Sequence, residues 1–135
     1  MSNVRSSVMR LCLGIFALSA FALAGCGGPT DFRVFGDVSW NGKPIPEGTI
    51  NFIAEDMAVA PDSAKIVNGK YDTRVKPGRK KVEVYASRAK PGDPVMNQQG
   101  RENYIPTKFN ALSTLVREVK PDGENHFDFA LTERD

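Results

Sequence analysis

The sequence predicts an all-β protein, a seven-stranded antiparallel β-sandwich with Greek-key-like connections, behind a short apolar leader. Three observations carry that prediction. From Phe32 onward, apolar residues recur with a period of two. Asn-Gly, Pro-Gly and paired-proline turns punctuate the chain at short, regular intervals. No stretch of that region has the sustained 3.6-residue period of a long amphipathic helix. Strands with one apolar face each need a second sheet to cover them, which is what a sandwich supplies.

Each element follows from its own residues. In the first strand Phe32, Val34, Val38 and Trp40 fall on one face, with Arg33, Asp37 and Ser39 opposite. "NGKPIPEG" ends it with an Asn-Gly turn and two prolines. Ile50, Phe52 and Ala54 then alternate with Thr49 and Asn51. Asn68-Gly69 sits between two alternating runs, the strongest short hairpin signal. Its second arm sets Tyr71, Thr73 and Val75 against Lys70, Asp72 and Arg74. "KPGRKKVEVYAS" is a Pro-Gly turn feeding a strand with Val82, Val84 and Ala86 on one face. Leu115 to Val119, the turn "KPDGEN", and Phe127, Phe129 and Leu131 alternating with His126 and Asp128 complete the set as an expected closing hairpin.

The leader has its own logic. Residues 1–10 are polar and carry Arg5 and Arg10, and residues 11–24 are an apolar stretch of fourteen. Crossing the hydrocarbon core takes about 20 apolar residues, so the stretch is a secretory signal rather than a span. It ends Leu23-Ala24-Gly25-Cys26. A branched apolar residue, two small residues and a cysteine resemble a bacterial lipobox. That resemblance implies recognition of Leu23, Ala24 and Gly25 by lipoprotein signal peptidase, cleavage before Cys26, and a diacylglycerol on the Cys26 thiol. Burying acyl chains is worth about 0.8 kcal/mol per CH₂, so the covalent lipid is a membrane anchor, and no other cofactor is expected. Residues 26–31 are then the lipidated cysteine and a tether. Its last five residues reach about 17 Å at most. Gly27, rather than an aspartate, follows the cysteine; by resemblance to familiar sorting rules this favours the outer membrane over the inner one within the cell envelope.

Charge excludes one class of partner. Of eighteen Lys and Arg, only Arg5 and Arg10 precede Cys26, and none of the sixteen acidic residues does. The remaining domain is balanced and has no basic stripe interleaved with aromatics, so no nucleic-acid partner is expected. The two cysteines are Cys12, inside the leader, and Cys26. Cleavage leaves one, so the domain is held by its core without an intrachain disulfide.

Taken together, "GDVSWNGKPIPEGTINF", "NGKYDTRVKPGRKKVEVYAS" and "YIPTKFNALSTLVREVKPDGENHFDFAL" resemble the carboxypeptidase-regulatory-like, transthyretin-like domains of small planctomycete-type lipoproteins. The resemblance implies a prealbumin-like seven-stranded sandwich over residues 32–131, followed by a tail at 132–135. It implies little about activity, because one fold hosts unrelated roles. Hydroxyisourate hydrolase shares the transthyretin-like fold, but that family relies on more than one histidine and a Tyr-Arg-Gly-Ser ending. This chain has one histidine and ends "LTERD", so the activity is not carried over. Lys-Asn isopeptide crosslinks need a lysine in the first strand, and "FRVFGDVSW" has none.

Residues 88–113 are the irregular segment, rich in Pro, Gly, Asn and Gln. A loop this long in a small domain is commonly functional or mobile. Within it Tyr104, Ile105, Pro106, Lys108 and Phe109 concentrate side chains that either pin the loop to the sandwich or meet a partner. Elsewhere, His126 beside Asp128 could form part of a relay, although no serine can be assigned to it. Glu55, Asp56 and Asp62 bracket a loop without the EF-hand spacing, and one histidine with a lipidated cysteine makes no zinc site. The expected function is a non-enzymatic envelope lipoprotein, a structural or interaction module. The alternative is a glycan- or peptide-binding module that uses residues 92–109.

Overall fold

The computed structural model describes residues 30–56, 59–90, 92 and 100–134. Leu23, Ala24, Gly25 and Cys26 lie outside the described residues. The chain is all-β, an antiparallel sheet curled into a half-barrel. In chain order its strands are β1 (Phe32–Trp40), β2 (Lys43–Pro44), β3 (Glu47–Ala54), β4 (Asp62–Val67), β5 (Lys70–Val75), β6 (Gly78–Tyr85), β7 (Ser87–Ala89), β8 (Arg101–Asn103), β9 (Val116–Val119), β10 (Asn125–His126) and β11 (Phe129–Leu131). The main sheet runs β10-β1-β5-β4-β3-β6-β9, with β2 and β11 also on β1; β7 and β8 form a separate ribbon.

The curl follows from two short connections. β4 and β5 share one bridging pair, Val67↔Lys70, at the Asn68-Gly69 turn. Beyond it they meet through side chains, Thr73 Oγ1 donating to Ser63 O at 3.4 Å and Asp62 accepting from Lys76 N at 3.0 Å. Asn68 and Gly69 both take the positive φ that this tight turn requires (51° and 77°). Lys76 and Pro77 alone carry the chain from β5 to β6, although β4 and β3 lie between them along the sheet. So short a link requires the sheet to curl until β5 and β6 approach each other at this end. Val34, Ile50, Phe52, Ile66, Val75 and Val82 are fully buried inside the curl. Each such side chain stabilises the fold by roughly 1.5–3 kcal/mol. Aromatic contacts cross the middle, Phe52 to Tyr71 at 5.9 Å and Tyr71 to Phe129 at 6.3 Å between ring centroids.

The alternation read from the sequence matches the observed burial along β1, β3 and β5. Along β6 Val82 and Val84 are buried as expected, but Glu83 between them is buried too, its carboxylate accepting from the Tyr85 hydroxyl at 2.9 Å. The closing segment does not pair as expected. β9 joins β6, while β10 and β11 run parallel to β1 at the other end of the sheet, so 115–131 is no hairpin. Both end strands have a free edge, and this segment satisfies one with each arm. Asn125, almost fully buried, bridges the gap between them. Its carbonyl oxygen accepts from Lys120 N (2.8 Å), and its amide donates to Lys120 O (3.0 Å) and Arg33 O (3.4 Å).

Gly36 makes the parallel pairing possible. A Cβ there would stand 2.0 Å from the Phe127 carbonyl oxygen. That carbonyl instead takes the space and accepts the Tyr71 hydroxyl hydrogen at 2.7 Å.

The irregular segment also needs correction. Ser87–Ala89 and Arg101–Asn103 pair as an antiparallel ribbon, and Thr107–Phe109 is one 3-10 turn. Proline and polar residues hid the ribbon because three-residue strands carry too little alternation to detect.

Candidate functional site

Strand register gives the molecule two poles. β1 runs from Phe32, beside Val75, to Trp40, beside Lys43. Its nine residues cover about 30 Å. Residues 30–31, the β5–β6 link and the 120–124 turn share the pole at the Phe32 end of β1, called the tether pole because the expected tether would enter there. Trp40, the β2–β3 link and the β7–β8 ribbon occupy the opposite, distal pole.

A groove of about 440 Å³ opens at the distal pole, lined by Trp40, Pro46, Glu47, Ser87, Arg88, Arg101 and Tyr104. Each wall has a local cause. Trp40 ends β1 before the Asn41-Gly42 turn, half-buried, with its ring edge-on to Phe109 at 6.0 Å and 75°. Asn103 fixes the other wall, its side-chain oxygen accepting from both Ala86 N and Ile105 N at 3.2 Å. Tyr104 N donates to Ala86 O at 3.0 Å, which holds the half-buried phenol beside the ribbon. Burial pushes the Tyr104 phenol upward, and neighbouring Arg88 opposes the shift. The Arg88 guanidinium lies 5.5 Å over the Tyr104 ring and pairs with Glu102 at 3.0 Å. Arg101 Nη2 donates to Ser87 O at 2.9 Å and stands 3.6 Å from Glu47.

The five loop residues singled out from the sequence divide. Ile105 and Phe109 are 3% and 4% exposed, part of the core, and so are withdrawn from any contact surface. Asn110 locks this turn by donating to the Ile105 and Pro106 carbonyls at 3.0 and 3.1 Å. Tyr104, Pro106 and Lys108 stay partly exposed, and Tyr104 alone of the five lines the groove. Lys108 Nζ donates to Glu133 O at 2.8 Å, joining the turn to the C-terminal segment. Sequence reasoning assigned Trp40 to the inner face and overlooked Glu47 and Arg88 as site residues. A tryptophan next to an Asn-Gly turn was the available signal, since a strand end exposes part of a large ring.

A second groove, about 510 Å³, crosses the outer surface of β1, β4 and β5 and includes Phe35, Lys65, Lys70, Asp72 and His126. His126 Nε2 is 3.1 Å from Asp128, and its ring stacks on Phe35 at 4.9 Å. The same Asp128 oxygen accepts from Asp37 N at 2.8 Å, so it clamps β1. Tyr71 supplies the one hydroxyl of that lining, and it is committed to the Phe127 carbonyl. The pair packs on β1, the histidine ring on Phe35 and the aspartate on the Asp37 amide. Of the loop acids, Glu55 pairs with Arg79 at 2.7 Å. Asp62 takes both Lys76 N (3.0 Å) and Lys76 Nζ (3.1 Å). Among the described residues no three His, Cys, Asp or Glu side chains gather as a metal site. Among them, too, no helix is long and apolar enough to cross a membrane.

No protein-family model matches the chain, and no curated protein matches it in sequence. Among solved structures, it is similar to the crystal structure of a 9R-lipoxygenase from Cyanothece, at 13% identity and a TM-score of 0.34. The match covers 78% of this chain and 17% of that one, and a likeness this faint carries no inference about activity.

Proposed function

We propose that the protein is an envelope lipoprotein, anchored through Cys26, whose domain is a non-enzymatic binding module facing away from the membrane. The observation that carries this reading is the position of the Trp40–Tyr104 groove, a strand's length from the pole that the tether enters. The tether from Gly27 to Asp31 is too short for the domain to roam, so the tether pole stays near the bilayer. The outer membrane is the favoured location. In this reading the curled sheet is a prealbumin-like seven-stranded sandwich, with β10/β11-β1-β5 facing β4-β3-β6-β9. The single β4–β5 bridge and the Greek-key-like link at Lys76–Pro77 support it.

Mass spectrometry of the N-terminal peptide, taken from the native host, tests the anchor. The expected product starts at Cys26 and carries a thioether-linked diacylglycerol. An unmodified peptide that runs through Cys26 contradicts it.

A further inference from the structure

The lining of the distal groove specifies its occupant more closely, granted the preceding reading that this groove is the binding face. Phe109 holds the Trp40 ring in place from one edge. Among the described residues the Trp40 indole N–H has no hydrogen-bond partner, and no buried side-chain nitrogen or oxygen lacks one. The indole donor therefore reaches solvent. Arg101 uses Nη2 on Ser87 O, and Glu47 at 3.6 Å is beyond hydrogen-bond reach. Its Nε and Nη1 have no acceptor among the described residues. The surrounding pole is basic. Lys43, Arg88, Lys90, Arg101, Lys108 and Arg134 stand against Glu47, Glu102 and Glu133 among the described residues.

We infer that this groove binds an acidic polysaccharide, with a sugar ring against Trp40 and Tyr104 and its carboxylate on Arg101. Aromatic rings with a polar tip suit a ligand that is apolar on its C–H face and hydroxylated at its edge. The indole N–H and Glu47 supply a donor and an acceptor for those hydroxyls. Arg101 offers the planar fork that matches a carboxylate, and the basic surround draws a polyanion to the site. A proline-rich peptide would use the aromatic walls but gives Arg101 and the surrounding charge nothing to do.

Trp40 is the protein's single tryptophan, so its fluorescence reports the groove directly. The full chain in detergent is titrated with polygalacturonate, with its methyl ester and with a decaproline peptide. Polygalacturonate is expected to give a saturable change that weakens as salt rises. Its methyl ester should bind roughly tenfold more weakly, as for the loss of one charge-assisted hydrogen bond. Arg101→Gln should weaken binding by a similar factor, with circular dichroism unchanged; the ester comparison, made on the wild-type chain, stands even if that variant misfolds. Equal binding of acid and ester, or no response to either, overturns the inference. A response to decaproline in place of the acidic glycan also overturns it, while leaving the groove as the binding face.

Discussion

The two poles of this molecule use their polar groups differently. At the tether pole three ion pairs tie neighbouring elements together: Arg74 with Asp31 at 2.7 Å, Arg79 with Glu55 at 2.7 Å, Lys76 with Asp62 at 3.1 Å. There Asn125 closes the half-barrel with side-chain bonds to two backbone segments, β1 at Arg33 and the turn at Lys120 and Gly123. At the distal pole an indole N–H and two guanidinium nitrogens lack acceptors among the described residues, beside half-exposed aromatic rings. One pole is closed as structure; the other keeps hydrogen-bonding capacity in hand. Substitutions at the first should register in stability, and substitutions at the second in binding.

The largest break is expected at the closure itself. Gly36→Ala forces a Cβ into the Phe127 carbonyl and should cost about 3 kcal/mol or more through overpacking and lost β1 pairing, read by urea denaturation. Asn125→Ala strips several bonds from a buried site and should cost about 2 kcal/mol by the same measurement. Tyr71→Phe orphans the Phe127 carbonyl and should cost about 1–2 kcal/mol at neutral pH.

That hydroxyl also sets a pH limit. Burial raises the Tyr71 phenol well above its ordinary value. The folded state then keeps a proton that the unfolded chain releases near pH 10, so stability falls as pH rises beyond that point. Thermal unfolding should show this alkaline loss in the wild type and much less of it in Tyr71→Phe.

The smallest stability effects belong to the exposed ion pairs. Arg74→Gln should change stability by less than about 0.5 kcal/mol, because solvent screens the pair. Arg33 holds the Asp72 carboxyl below its ordinary value through a bidentate contact. The sign gives stability present above the unfolded carboxylate range and lost as pH falls through the folded value. Asp72→Asn should therefore leave the neutral midpoint nearly unmoved and flatten the acid limb slightly.

How much of this was legible in the sequence follows the range of each interaction. Alternation placed Val34, Phe52, Tyr71 and Val82 inside because side-chain direction is a local property of a strand. The Asn68-Gly69 turn was legible for the same reason. Partner choice was not. Nothing local distinguishes β10 and β11 lying along β1 from a hairpin with β9, since the deciding contact is between Gly36 and a distant carbonyl. The groove was half visible. Tyr104 stood out as an aromatic in a polar loop, but Trp40, Glu47 and Arg88 come from other elements, and only the register brings them to one pole.

The most direct test of the central claim uses Trp40 as a depth gauge. The lipidated mature protein is bound to vesicles that contain brominated lipids, floated on a density gradient, and its tryptophan fluorescence is measured in the floated fraction. The expected result is that the protein floats and Trp40 is unquenched, because the anchor holds one pole while the groove stands about 30 Å away. Failure to float, or flotation with strong quenching, would contradict a tethered domain that presents its groove away from the membrane.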